Sequence, residues 1–137
     1  MPSSSAESSP LTNSSPLNGK RVLVVEDEYF LADDIARALK GLGARVIGPF
    51  GDLDEAVLVV DREVAIDAAI MDINLRDEMI FSLARLLRDR KVPFVFTTGY
   101  DESGLPDIWR GRPTLRKPFM MGEMAEALKK ALPGRGA

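Results

Sequence analysis

Three short runs in this chain are apolar without a break: "VLVV" (22–25), "AAIM" (68–71) and "FVF" (94–96). A strand with one wet face alternates apolar and polar residues, so continuous runs require cover on both faces, the condition of a buried parallel sheet. The segments between the runs have helical spacing. Phe30, Leu31, Ile35, Ala38 and Leu39 recur at the period of a helix that Gly41 and Gly43 end. Asp52 caps a second helix through about Asp61, with Ala56, Val57 and Val60 inward. "MIFSLARLLRD" (79–89) is a third, and 120–132 is an amphipathic last helix closed by Pro133 and Gly134. Two further strands fit the alternation: "RVIGPF" (45–50), placed near an edge by Pro49, and "PTLRK" (113–117). The stretch 101–112 contains Gly104, Pro106 and Gly111, so a helix there is short or irregular. Five strands alternating with helices predict an α/β, doubly wound, five-stranded parallel sheet.

The chain has 137 residues, the size of one domain, and 45% are hydrophobic, enough for a packed core. "MPSSSAESSPLTNSSPLNG" (1–19) is rich in Ser, Pro and Asn and reads as a disordered tail. The domain is expected over 20–132, with a short tail at 133–137. A net charge of −3 argues against binding duplex nucleic acid, which calls for a basic patch. No apolar run approaches the roughly 20 residues of a membrane helix, and the N-terminus lacks a signal peptide's pattern, so a cytoplasmic location is expected. With no cysteine and no histidine, thiolate chemistry, zinc sites of the usual ligands and histidine bases are excluded within the chain.

In doubly wound sheets the ligand site lies beyond the carboxyl ends of the strands. There the first strand ends at Glu26 and Asp27, the third at Asp72, the fourth at Thr97 and Thr98, and the fifth at Lys117. Taken singly, an acid after the first strand is a helix cap, Thr98 a turn residue and Lys117 solvated surface. Their joint placement on four strand ends argues for a site. Three carboxylates in one cleft repel by roughly 4 kcal/mol per pair at about 4 Å and an effective dielectric near 20, so a proton or a cation must join them. All-oxygen donors suit Mg²⁺, which binds one or two carboxylates and a phosphoryl oxygen. An ionised Asp72 is then a nucleophile able to form an acyl phosphate. Asp27 would hold the ion, with Glu26 partly through water. Lys117 and the Thr98 hydroxyl would meet the phosphoryl oxygens, and Gly99 would let backbone N–H groups approach.

These residues resemble the receiver domains of two-component response regulators. The likeness rests on "VVEDE", "AAIMDINL", "FVFTTGY" and "LRKPF", with spacings of 45 (27 to 72), 26 (72 to 98) and 19 (98 to 117), and it covers residues 20–132. "PFVFTTGY" also resembles a single-domain subgroup with a Phe-Ala-Thr-Gly signature, Thr97 standing for its alanine. The resemblance implies the flavodoxin-like strand order 2-1-3-4-5 and phosphorylation of Asp72 by a histidine kinase or phosphotransfer protein. It also implies Mg²⁺ held by Asp27, Asp72 and the Asn74 carbonyl with Glu26 assisting, and a cis Lys117–Pro118 bond. The chain departs from the family in three ways. The loop after the phosphoacceptor is charged, "NLRDEM"; Thr114 stands where many receivers have an aromatic switch residue, leaving Tyr100 as a substitute; and Pro106 interrupts the fourth helix.

The segment 98–118 and the last helix are expected to form the output face, with Trp109 beside Arg110 and Arg112 as the partner contact and Phe119 filling the core. No DNA-binding or catalytic unit is expected after the last helix, and output is expected through contacts with an unidentified protein or as a phosphate sink. A hydrolase is disfavoured because Asn74 stands where a second acid would protonate a leaving group. A phosphorylation-independent binding module is the remaining alternative.

Overall fold

A computed structural model describes residues 15–62, 65–75, 78–99 and 105–133. The elements are β1 (Arg21–Val25), α1 (Tyr29–Gly41), β2 (Arg45–Phe50), α2 (Leu53–Asp61), β3 (Ala68–Asp72), β4 (Asn74–Leu75), β5 (Glu78–Met79), α3 (Phe81–Asp89), β6 (Phe94–Thr98), a 3₁₀ turn (Asp107–Trp109), β7 (Thr114–Arg116) and α4 (Met121–Ala131). The five longer strands form one parallel sheet in the order β2-β1-β3-β6-β7, the expected 2-1-3-4-5 arrangement.

The continuous apolar runs behave as their composition requires. β3 and β6 are buried along their whole length, and β1 is buried after Arg21. Successive side chains then enter opposite cores. Leu23, Val25, Met71 and Phe96 pack toward α2 and α3, whereas Val22, Val24, Ile70 and Val95 pack toward α1 and α4. Asp52 caps α2 as expected, its carboxylate accepting the Asp54 N–H at 3.0 Å. In β2, Gly48 has φ +103°, and an added Cβ would meet Phe50 N at 2.8 Å and Val24 O at 2.9 Å. This position takes glycine because β2 closes on β1 there, at an irregularity in their register.

Two features were not legible beforehand. Residues 16–19 form a turn whose Leu17 is fully buried against α1 and α4, so the packed unit begins before the boundary at Lys20 that composition suggested. One apolar residue inside a Ser/Pro/Asn-rich stretch carries no periodicity, which is why the turn was missed. The charged stretch after Asp72 is bracketed by the short antiparallel pair β4–β5, with Asn74 opposite Met79. The segment expected to hold an irregular fourth helix contains the single 3₁₀ turn Asp107–Trp109 among its described residues.

Candidate functional site

The strand order reverses between β1 and β3, and the polar residues gather at that end of the sheet. β1 delivers Glu26 and Asp27, and β3 delivers Asp72. β6 delivers Thr98, and the chain leaving β7 delivers Lys117, whose N–H donates to the Thr98 carbonyl at 2.8 Å. Glu26, Asp72, Thr97 and Thr98 are all buried. The nearest carboxylate oxygens of Glu26, Asp27 and Asp72 lie within 4.8 Å of one another.

Lys117 compensates this negative charge. Its Nζ lies 2.9 Å from Asp72 Oδ2, 3.1 Å from Glu26 Oε1 and 2.7 Å from Glu28 Oε2. Asp72 Oδ1 accepts the Asn74 N–H at 3.1 Å, and Glu26 Oε2 accepts the Glu28 N–H at 3.0 Å. Burial pushes the Glu26 carboxyl up to about 7; the neighbouring Asp72 charge adds to the rise, while the Glu28 N–H and Lys117 oppose it. Burial pulls the Lys117 ammonium toward neutrality. Hydrogen bonds to Glu28 and Asp72 and the charges of Asp72 and Glu26 outweigh that, so its pKa lies above the ordinary lysine value.

The Glu26 shift makes stability depend on pH. Because its pKa is higher folded than unfolded, its favourable contribution is present below about 4.5 and is lost as the pH rises through about 7. In the metal-free protein, urea unfolding at pH 5 and pH 8 should show a decline of about 2–3 kcal/mol in wild type relative to Glu26→Gln. Parallel curves for the two proteins would mean that the buried charge carries no such penalty.

The donor set fits a small hard divalent cation. It consists of carboxylate oxygens from the ends of two neighbouring strands, without a nitrogen or sulfur ligand. Glu26, Asp27 and Asp72, chosen from the sequence as ligands, therefore come together, and Asn74 follows on β4 with its N–H on Asp72. Thr98 and Lys117 arrive at the same end, and the Lys117–Pro118 bond is cis. Gly99 and Pro118 are exposed, and Tyr100 lies outside the described residues.

Trp109 requires a correction. It was expected to present a partner-binding surface, but it is 1% exposed. Its ring stacks on Phe81 at 6.2 Å and meets Phe94 and Phe96 edge-on at 5.9 and 6.1 Å. Two arginines cover it, Arg88 at 5.5 Å and Arg112 at 5.8 Å from the ring centroid. The indole fills the space over β6 beside Phe81 of α3. Phe119 is half-buried against the α1/α4 core, as expected, and among the described residues Ile108 and Met120 are the large exposed apolar side chains of this region. The Thr114 hydroxyl donates to the Arg112 carbonyl at 3.1 Å, a local bond in place of an aromatic switch.

Sequence reasoning missed Glu28. Its only signal was the third acid of "EDE", and an exposed acid at the start of a helix reads as a cap. Here its carboxylate makes the shortest of the three Lys117 contacts.

No family profile matches the chain. Among curated proteins it is 28% identical over 127 residues to the transcriptional regulatory protein PdtaR of Mycobacterium tuberculosis. That match covers 90% of this chain and 62% of PdtaR, so the chain spans less than two thirds of that relative. Its structure is similar to SdrG from Sphingomonas melonis Fr1, with 36% identity, 80% of this chain and 92% of SdrG covered, and a TM-score of 0.70. It is also similar to a response regulator receiver protein from Sinorhizobium medicae WSM419, with 25% identity, 87% and 98% covered, and a TM-score of 0.73. Likeness in sequence and in fold converges on one family, and the chain belongs to it: the receiver domains of two-component response regulators.

Proposed function

We propose that this chain is a phosphoacceptor regulator that takes a phosphoryl group onto Asp72 from a phosphohistidine of a histidine kinase or phosphotransfer protein. The observation that supports this reading most directly is the Lys117 ammonium, 2.9 Å from Asp72 Oδ2 and beside two more carboxylates. A strand-end carboxylate with a cation fixed beside it is positioned to act as a nucleophile. In the transfer, an Asp72 oxygen bonds to phosphorus as the N–P bond breaks. The imidazole nitrogen keeps the bonding pair, and the ring leaves neutral because its other nitrogen carries a proton.

The protein's own work is alignment and charge neutralisation. Lys117 would meet one equatorial oxygen, and the hydroxyl of Thr98, from the adjacent strand end, would meet another. Asp27, Asp72 and the Asn74 carbonyl would hold Mg²⁺, with Glu26 assisting; the bound ion supplies positive charge to the transferring group. The new dianion changes the charge at the end of β6, next to the segment that Trp109 anchors. Output then passes to an unidentified protein, or the chain drains phosphoryl groups from its donor.

Intact mass after incubation with Mg²⁺ and a small acyl or amido phosphate tests the reading. Wild type should gain one phosphoryl group only when Mg²⁺ is present, and Asp72→Asn should gain none. If wild type gains none and also fails to bind beryllium fluoride, the phosphoacceptor reading is wrong and the phosphorylation-independent binding module takes its place.

A further inference from the structure

A lysine ammonium has three hydrogens to donate. In this structure three carboxylates lie within hydrogen-bond distance of Lys117 Nζ: Glu28 Oε2 at 2.7 Å, Asp72 Oδ2 at 2.9 Å and Glu26 Oε2 at 3.2 Å. The ammonium is therefore fully engaged before any phosphoryl group arrives. The three partners differ in their surroundings. The Glu26 and Asp72 side chains are 1% and 6% exposed, whereas that of Glu28 is 60% exposed. When Asp72 becomes an acyl phosphate its carboxylate charge is lost, and the phosphoryl oxygens present new acceptors. A buried Glu26 that loses its cation is left uncompensated in a low dielectric, while Glu28 can turn into water at little cost.

We propose that Glu28 is a positioning residue of the phosphoacceptor site, holding Lys117 in the unphosphorylated protein and releasing it to the phosphoryl group on Asp72. The inference rests on the phosphoacceptor reading above and adds a competitor to it. Glu28 keeps the ammonium at the cleft while the site is empty of phosphate. In doing so it weakens the hold of Lys117 on a phosphoryl oxygen, because the same donors serve both.

The test compares wild type, Glu28→Gln and Asp33→Asn for Mg²⁺-dependent binding of beryllium fluoride by calorimetry. Asp33 is a control for the loss of a nearby negative charge: it lines the cleft beside Glu26 and Asp27 but pairs with Arg37 at 3.0 Å and is not one of the three carboxylates on Lys117 Nζ. Glu28→Gln should bind the mimic roughly three- to tenfold more tightly than wild type, and Asp33→Asn should stay within twofold. In the metal-free protein, the Lys117 side-chain ¹⁵N–¹H signal should shift in Glu28→Gln and not in Asp33→Asn, a change that a purely structural role for Glu28 would not produce. Equal affinities for wild type and Glu28→Gln, or equal gains in both variants, would overturn the inference and leave the phosphoacceptor reading intact. Binding by none of the three would overturn both.

Discussion

Trp109→Ala is expected to destabilise the protein by about 3–5 kcal/mol, the range for removing a large aromatic side chain from a packed core. The indole is the largest fully buried side chain, and it touches three phenylalanines and two arginines. Its loss opens a cavity between α3 and β6 that the neighbours cannot fill, because Phe94 and Phe96 are fixed in a central strand. It also removes the aromatic face over which Arg88 and Arg112 lie, a smaller effect of about 0.5–1 kcal/mol for each partly exposed cation. Trp109→Phe retains ring packing and should cost less than half as much. Urea unfolding followed by circular dichroism reads both variants. A loss below about 1 kcal/mol for the alanine variant would place the indole at a surface and revive its role as a partner contact.

Lys117→Met should cost about 3–5 kcal/mol at pH 8 without metal, as expected when one partner of a buried ion pair is removed. Glu26 and Asp72 would then face each other, both buried, without their shared cation. At pH 6 the cost should shrink, because Glu26, already pushed up to about 7 in wild type, takes up a proton and loses its charge. Saturating Mg²⁺ at pH 8 should recover much of the loss, since a divalent cation replaces the missing positive charge. Unfolding curves at the two pH values, with and without Mg²⁺, separate these effects. A cost independent of both pH and Mg²⁺ would mean that Lys117 acts through packing of its methylene chain.

The acid pair, Asp72 and Lys117 were legible in the sequence for a common reason. Each stands at or just past the end of a strand, and the carboxyl ends of parallel strands all lie on one edge of the sheet. Strand assignment alone therefore brought Glu26, Asp27, Asp72 and Lys117 together. Glu28 was not legible because its partner is far away along the chain, and no local pattern marks an exposed helix-start acid as the mate of a distant lysine. Leu17 was hidden for a related reason: one leucine in a polar stretch gives no period, and only the groove between α1 and α4 gives it a place.

Trp109 shows where composition misled. A tryptophan flanked by arginines in a segment broken by Pro106 and Gly111 has the composition of an exposed binding loop. Local rules contain nothing about the space left over β6, and that space, bounded by Phe81 on α3, draws the ring inward. By itself the sequence determined the parallel sheet, its edge strand and the chemistry along one edge, because apolar periodicity and the direction of parallel strands are local properties. Only the tertiary structure decided which carboxylates share Lys117 and which aromatic side is buried, because those choices depend on distances between segments that the chain order does not encode.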